Sequence, residues 1–387
     1  MKKLLYIIFY FSLIWYEIVS MNNVYSWQLD TESKVPVISI FMSVFVGIFV
    51  IRNAYRHVKF LPVGKYFVIF YGYLYVVAII HGLINGFDSK SSPLIYIMPL
   101  ICFFVEYYAQ HDSELKKARK VVILLFFAAF VVNYLMNYNI VVASSFFAGN
   151  QFVETNTSYY LLYITPILCC VCDKKYHKYI FIAVIIAIIM SNKRGGFLGL
   201  LLGILLYYYI EKKETFWKRS DFFGKSILFL FMAVFVFCLF VIVDIILGGS
   251  TGERLFLLSE DEGSGRTQIY EETWQLIMSS GTAGQMFGHG FNQVKTMTTW
   301  SVTAHNDILE IIYDFGWICA ALYMFFIISG FRYSFKHSKD LTNPVRGMSF
   351  GILAACMMVS IVVIRVDYFN LLALFWGASS GTLNNRQ

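Results

Sequence analysis

Long apolar segments recur along this 387-residue sequence and constrain its fold more than any other feature. The hydrocarbon core of a bilayer is about 30 Å thick, so an α-helix needs about 20 mostly apolar residues to cross it. Twelve segments reach or approach that length, which predicts an all-α polytopic membrane protein with about twelve transmembrane helices. The predicted spans are residues 4–20, 35–51, 66–84, 94–109, 121–141, 158–172, 178–191, 195–210, 226–247, 305–330, 346–364 and 367–381.

The composition and the charge agree with this fold class. Hydrophobic residues make up 58% of the chain and charged residues 14%, whereas soluble domains carry about 25% charged residues. The net charge of +7 arises from 31 Lys and Arg, most of which fall in alternate loops. This bias predicts that both termini are cytoplasmic, and it explains the positive charge without a nucleic-acid partner. All seven cysteines lie in apolar segments, which is typical of small buried side chains.

One loop on the outer side of the predicted bundle is long. It covers residues 248–304, between the ninth and tenth spans, and we expect a single membrane domain over residues 1–387 into which this loop is inserted. Within the loop, Ile269, Tyr270 and Trp274 recur near helical spacing, which predicts short amphipathic helices. The first residues, MKKLLYIIFYFSLIWY, are followed by no small-residue cleavage site, so we expect a membrane helix there and not a signal peptide.

Two arginines lie in outer segments where topology requires no positive charge. Arg194 is at the tip of a predicted hairpin, with Gly195 opening the next helix, and Arg266 is in the first turn of the predicted amphipathic helix. A cation opposes the helix dipole at an N-terminus, and an anion held by the guanidinium and the free N–H groups would resolve this conflict. The residues alone leave a second interpretation open, in which Arg194 reaches lipid headgroups and Arg266 belongs to a solvated surface.

The tenth predicted span opens with the polar segment SVTAHNDILEIIYDFGW. At 100° per residue, Asn306 and Glu310 share a face, and Asp307 and Asp314 lie within about 20° of each other. Ionisable residues in a membrane segment usually face the bundle interior or a wet cavity, which makes them functional candidates. His305 is a candidate general base, and Asp307 has the alternative role of complementing the helix dipole.

Two smaller features complete the set of candidates. Arg365 is followed by Asp367 in a short turn, which predicts an ion pair closing a helical hairpin. His289 lies in a Gly-His-Gly segment that favours a tight turn. His289 and His305 lack the third ligand of a metal site, so we predict no metal.

Three features together resemble the O-antigen polymerase/ligase superfamily of bacterial polysaccharide assembly, and the O-antigen polymerases most. They are an arginine at an outer hairpin tip, the pattern "GR…Y…W" in the long loop, and "GxG…AHNDxLExxxxxG" running into the next helix. The motifs lie within residues 191–316, and the similarity in topology spans nearly the whole chain. The resemblance implies a bacterial inner-membrane glycosyltransferase with a GT-C-like fold. It would act without a cofactor on undecaprenyl-diphosphate-linked oligosaccharides at the periplasmic face.

The resemblance also implies roles for individual residues. Arg194 and Arg266 match positions that hold the donor diphosphate, and His305 matches the catalytic histidine. Asn306 and a neighbouring carboxylate, Asp307 or Glu310, would support His305, and the choice between the two carboxylates stays open.

Two further arginines, Arg254 and Arg365, are candidate supporting residues. Some polymerases carry an arginine, ten residues and a glycine in each of two periplasmic loops; Arg254 and Gly265 fit that spacing, but Leu205 replaces the glycine expected after Arg194. Arg365 is a further candidate on the outer side.

The implied partners are a lipid-linked donor and acceptor, membrane lipid, and a chain-length regulator and flippase of the same pathway. The nearest alternative is an O-antigen ligase that transfers glycan to lipid A-core; the acidic outer loop offers a phosphorylated core no obvious site. An alternative of another class is a flippase or transporter for lipid-linked oligosaccharides. The ionisable groups gather at the outer helix ends, which argues against alternating access.

Overall fold

The computed structural model describes residues 1–26, 36–55, 60–87, 92–147, 157–191, 194–212, 266–299, 301–336 and 342–380. Over these ranges the regular structure is entirely helical. The helices are α1 (Lys2–Ser26), α2 (Val37–Ala54), α3 (Pro62–Asn85), α4 (Pro93–Ala109), α5 (Ser113–Phe147), α6 (Ser158–Val171), α7 (His177–Met190), α8 (Arg194–Lys212), α9 (Arg266–Ser279), α10 (Thr282–Phe287), α11 (Gln293–Met297), α12 (Asp307–Lys336), α13 (Asn343–Val359) and α14 (Val366–Ser379).

The predicted all-helical membrane fold is confirmed at this level. Within the described ranges, six helical segments are long and apolar enough to cross a membrane. They are Lys2–Asn22, Val37–Ala54, Pro62–Asn85, Ser113–Asn137, Gly195–Lys212 and Asp307–Lys336. Helices lie on eleven of the twelve predicted spans, and the remaining one, 226–247, lies outside the described residues. The total of twelve crossings stays a prediction.

Local sequence explains several helix boundaries. Proline occupies the first turn of α3, α4 and α13, where its fixed φ suits a helix and its missing N–H has no intrahelical partner to lose. Helix α3 ends at Asn85 and is followed by Gly86, whose φ of 88° suits glycine.

Glycines bring α8 and α13 into close contact. Gly195, Gly199 and Gly203 recur every four residues along α8 and face α13, where Cys356 and Ile352 pack against them. A Cβ atom on Gly199 would lie 2.7 Å from the Cys356 Sγ, and one on Gly203 would lie 2.8 Å from the Ile352 Cγ1. Small residues at this spacing let two membrane helices approach closely and gain dispersion energy.

Contacts between helix ends define two ends of the bundle. At the first, which we call the Lys2 end, the Lys2 Nζ lies 3.2 Å from the Asp112 Oδ2, and the Arg346 Nη2 donates to the Ser379 carbonyl at 2.6 Å. At the opposite end, which we call the Asp307 end, the Asp307 carboxylate meets the segment between α13 and α14.

A buried ion pair near the Lys2 end has structural partners. The Glu106 carboxylate accepts hydrogen bonds from the Arg119 Nε at 2.6 Å and from the hydroxyls of Tyr6 and Tyr10 at 2.5 and 2.6 Å. A buried charge is tolerated when it is paired and hydrogen-bonded in this way. This cluster therefore holds α1, α4 and α5 together.

The short helices α9, α10 and α11 lie at the Asp307 end and contact α12. Helix α12 is not continuous, because Gly316 has φ 82° and ψ 168° and separates a first part, residues 307–315, from a second, residues 317–336. The buried face of α9 is formed by Ile269, Thr273 and Ile277, which are four residues apart. The predicted helical character of this part of the long loop is confirmed.

Candidate functional site at the Asp307 end

Three carboxylates share one buried face in the first part of α12. Asp307, Glu310 and Asp314 follow each other at spacings of three and four residues, and all three are 0% exposed. The predicted common face is therefore confirmed, and it points into the protein.

Asp307 joins α12 to the segment between α13 and α14. Its Oδ1 accepts hydrogen bonds from the backbone N–H groups of Val362 at 2.7 Å and Val363 at 3.2 Å. Its Oδ2 accepts a hydrogen bond from the Tyr323 hydroxyl at 3.2 Å. The carboxylate thus satisfies backbone donors in a non-helical segment that would otherwise be unpaired.

Asp314 holds the start of α11 in the same manner. Its two oxygens accept hydrogen bonds from the backbone N–H groups of Asn292, Gln293 and Val294 at 2.7, 3.0 and 3.1 Å. These are the orphan donors of a helix N-terminus, where a carboxylate also complements the dipole. Asp314 therefore binds backbone amides that lie 20 to 22 residues before it in the sequence.

Glu310 contacts the segment that carries His305. The Glu310 Oε1 accepts a hydrogen bond from the Ala304 N–H at 2.5 Å. Its Oε2 is buried and has no hydrogen-bond partner among the described residues. Of the two carboxylates considered as supports for His305, Glu310 thus binds the backbone next to it, whereas Asp307 binds a distant segment.

His305 lies two residues before the first residue of α12, in a left-handed conformation with φ 51°. Asn306 caps the helix, because its Oδ1 accepts hydrogen bonds from the N–H groups of Ile308 at 3.0 Å and Leu309 at 3.3 Å. The His305 side chain is partly exposed. The His305 imidazole is therefore partly accessible to solvent, whereas the neighbouring carboxylates of α12 are fully buried.

Tyr270 links α9 to His305. Its hydroxyl lies 3.5 Å from the His305 carbonyl oxygen and 3.4 Å from the Met358 carbonyl oxygen, and it is also close to the Asn306 side chain. Burial raises the pKa of the Tyr270 hydroxyl, while the nearby Arg266 charge opposes that rise. Because Arg266 is four residues before Tyr270, both lie on one side of α9. The structure therefore brings Arg266 and His305 to one region.

Tyr159 connects the same region to the start of α8. A Cβ atom on Gly195 would lie 2.6 Å from the Tyr159 hydroxyl, so this hydroxyl touches the first turn that Arg194 opens. The hydroxyl also lies beside the Ser360 side chain and close enough to Arg266 to be affected by its charge. The buried Tyr159 side chain therefore lies close to the first turn of α8, to Ser360 and to Arg266.

Arg365 forms the predicted pair with Asp367. Its Nε donates to the Asp367 Oδ1 at 3.1 Å and its Nη2 to the Asp367 Oδ2 at 2.7 Å, which is a bidentate arrangement. The guanidinium also lies over the Tyr368 ring, 4.5 Å from its centroid, and Tyr160 donates a hydrogen bond to the Asp367 Oδ2. The predicted ion pair between Arg365 and Asp367 is confirmed, and it lies within the turn that begins α14.

The Gly-His-Gly segment packs on the break in α12. His289 and Gly290 donate backbone hydrogen bonds to the carbonyls of Tyr313 at 3.0 Å and Asp314 at 2.9 Å, which the break at Gly316 leaves available. The His289 Nε2 lies 2.7 Å from the Ser280 Oγ. Burial, and then the nearby charge of His81, lower the pKa of the His289 imidazole. His289 is thus a packed residue of this loop.

Two predicted residues cannot be compared with the structure in the same detail. The backbone of Arg194 begins α8, but its side chain lies outside the described part of the chain, and Arg254 lies outside the described residues altogether. Sequence reasoning missed Tyr159 as a contact of this region. It is one of 27 tyrosines and lies in an apolar segment, so no local signal distinguished it.

Comparison with protein-family models gives a match over residues 179–324 to the family described as O-antigen ligase. This match supports a relation between this part of the chain and the O-antigen polymerase/ligase superfamily. The matched segment, less than half of the chain, runs from α7 into α12 and contains Arg194, Arg266 and His305, whereas Arg365 lies beyond it. Comparison with curated proteins gave no match.

The matched family is described as O-antigen ligase, and the six long apolar helices of the described residues indicate a multi-pass membrane protein. The match does not distinguish a ligase from a polymerase.

Proposed function

We propose that this protein is a polysaccharide polymerase of the O-antigen type with twelve membrane helices and a GT-C-like fold. It transfers the growing glycan from undecaprenyl diphosphate to a sugar hydroxyl at the non-reducing end of another lipid-linked repeat unit. The observation that carries the proposal is the link through Tyr270, which connects the helix bearing Arg266 to the backbone of His305. Together with the family match, this link supports the proposal that the Arg266 cation and the candidate base His305 act in one site.

The proposed reaction is a single displacement at the anomeric carbon. The acceptor oxygen forms the new bond while the C–O bond to the diphosphate breaks, and the electron pair of that bond goes to the departing diphosphate. His305 takes the acceptor proton, which is typically worth about 10²–10⁴-fold in rate. The geometry of a single displacement inverts the anomeric configuration.

Arg266 and Arg194 are proposed to stabilise the departing diphosphate. Guanidinium groups match the geometry of phosphate oxygens and keep their charge at any relevant pH. Because the charge develops as the C–O bond breaks, cations fixed beforehand near the leaving oxygens lower the barrier. The two arginines supply this positive charge without a metal ion in the proposed mechanism.

The Asp307 end is proposed to face the periplasm, with both chain termini in the cytoplasm of a bacterium. The distribution of charge supports this orientation. Most described basic residues lie at the Lys2 end, among them Lys65, Lys116 and Lys212, as expected for cytoplasmic ends. At the Asp307 end the described basic side chains are those of Arg266, Lys295 and Arg365.

An O-antigen ligase is the second candidate, favoured by the description of the matching family. Both activities use the same donor and differ in the acceptor. The experiment is deletion of the gene in its host and analysis of the lipopolysaccharide. Loss of a polymerase leaves core with a single repeat unit, whereas loss of a ligase leaves bare core.

Complementation then tests the mechanism. We expect His305→Ala to accumulate in the membrane and to restore no long glycan. Long glycan at the wild-type level in that strain would refute the role of His305, and bare core in the deletion strain would refute the polymerase assignment.

A further inference from the structure

His305 has an unfavourable backbone conformation in the non-helical segment before α12, where Ser301 also has a positive φ, of 50°. The His305 φ of 51° lies in the left-handed region, which β-carbon sterics disfavour for residues other than glycine. Such conformations persist only where surrounding contacts hold them, and they are frequent at functional sites. The contacts that hold His305 are therefore of functional interest.

Hydrogen bonds hold the backbone on both sides of His305. Before it, the Ala304 N–H donates to the Glu310 Oε1 at 2.5 Å. After it, the Asn306 side chain caps α12. At His305 itself, the Tyr270 hydroxyl lies 3.5 Å from the carbonyl oxygen.

The other buried carboxylates on this face cannot replace Glu310. Asp307 accepts hydrogen bonds from Val362 and Val363, and Asp314 accepts those of the α11 N-terminus. Glu310 is also the side chain that turns back from the first turn of α12 onto the segment before His305. This hydrogen bond therefore fixes the position of Ala304 relative to the first turn of α12.

We infer that Glu310, with Tyr270, is a positioning residue for His305, and that it acts through the Ala304 amide. The inference rests on the proposed function of His305. Glu310 holds the residue before the histidine, Tyr270 contacts the histidine carbonyl, and together they maintain the left-handed backbone that directs the imidazole. The role requires a hydrogen-bond acceptor at position 310 and does not require its negative charge.

Substitutions at position 310 test this role in purified protein with synthetic lipid-linked repeat units. Glu310→Gln keeps an acceptor for the Ala304 N–H, so we expect its kcat to stay within about threefold of the wild type. Glu310→Ala removes the acceptor, and we expect kcat to fall about 100-fold with KM for the donor little changed, because misplacement of a catalytic group by about 1 Å costs that much. A Gln variant that is folded but as inactive as the Ala variant would overturn the inference.

Hydrogen–deuterium exchange provides a readout that is independent of activity. The amide of Ala304 should exchange slowly in the wild type and in Glu310→Gln, and quickly in Glu310→Ala. Unchanged protection in the Ala variant would show that Glu310 does not hold this backbone. If Glu310→Ala fails to accumulate, Tyr270→Phe decides: we expect about a tenfold loss of kcat from one hydrogen bond, and wild-type kcat would contradict the proposal.

A matched control is available at Glu272. Its Oε1 also accepts a backbone hydrogen bond, from the Thr299 N–H at 2.6 Å, but neither residue is a sequence neighbour of His305. Glu272→Ala should leave kcat within about twofold of the wild type.

His305→Ala distinguishes failure of the proposed catalytic role of His305 from failure of the positioning role of Glu310. If it stays active, the proposed function fails, whereas an inactive His305→Ala beside a fully active Glu310→Ala refutes the positioning role alone.

Discussion

At the scale of single residues, the three carboxylates of α12 have similar chemistry but hold different parts of the chain. Asp307 binds the segment before α14, Glu310 binds the segment before α12, and Asp314 binds the start of α11. Removing any one would leave buried backbone donors unpaired, at a cost of about 1–3 kcal/mol for each group. Their burial therefore has a structural cause, and the candidate catalytic roles fall to the more accessible His305 and Arg266.

Arg266→Lys tests the proposed contact with diphosphate. An ammonium keeps the charge but cannot reproduce the bidentate geometry of a guanidinium, so we expect polymerisation to fall by about tenfold or more. The measurement is the rate of chain extension by purified protein. Lys295→Ala, at an exposed cation in the same group of short helices, should retain wild-type activity. A fully active Arg266→Lys would reduce Arg266 to a general positive charge.

The common face of the carboxylates could be predicted, because it depends only on residue spacing along one helix. Their partners could not be predicted, since the amides of residues 292–294 and 362–363 belong to segments that no local pattern connects to α12. The same limit applies to Tyr159. Its importance arises from Gly195 and Ser360, which are distant in the sequence.

At the scale of helices, the break at Gly316 organises the Asp307 end. A Cβ atom at this position would lie 2.1 Å from the Met286 carbonyl oxygen, and one on Gly288 would lie 2.3 Å from the Asp314 carbonyl oxygen. Both glycines also have a positive φ. The loop after α10 and the break in α12 therefore meet backbone to backbone, which only glycine permits.

Gly316→Ala should destabilise the protein. The added methyl group must displace a carbonyl and adopt a disfavoured φ, so we expect a loss of about 2 kcal/mol or more. The measurement is thermal unfolding in detergent, monitored by tryptophan fluorescence. Gly72→Ala in α3 is the matched control, because nothing lies within 4 Å of its Cβ position. It should be neutral or stabilise by up to about 1 kcal/mol, and an equal loss at both positions would contradict the argument.

Helix positions were largely predictable because hydrophobic length and periodicity dominate in membrane segments. Two predicted spans differ from the observed helices for identifiable reasons. The predicted span 346–364 continues through apolar residues, but α13 ends at Val359, since the amides of Val362 and Val363 bind Asp307. The predicted span 305–330 contains a break at Gly316 that hydrophobicity does not reveal.

At the scale of the whole molecule, the two ends of the bundle have different chemistry. The Lys2 end contains most of the described basic residues and buried, fully paired ions such as Arg119 with Glu106. The Asp307 end contains the irregular segments, the short helices and Arg266, for which a substrate-binding role is proposed. A bundle with one basic end and one irregular end is expected to have a fixed orientation in the membrane.

Cysteine labelling tests that orientation. Lys117→Cys lies at the Lys2 end and Lys295→Cys at the Asp307 end, and both positions are exposed. With a membrane-impermeant thiol reagent added from the periplasmic side, we expect labelling above the wild-type background at position 295 only. Labelling at position 117 in intact cells would reverse the proposed orientation.

The broken helix α12 also limits how this protein can be re-engineered. The carbonyls of Tyr313 and Asp314 receive their hydrogen bonds from His289 and Gly290, outside the helix. A shortened or exchanged outer loop would leave these two acceptors without donors, in a buried place where water cannot substitute. A functional chimera between relatives must therefore exchange residues 286–290 and 313–316 as one unit, although a predicted membrane boundary lies between them.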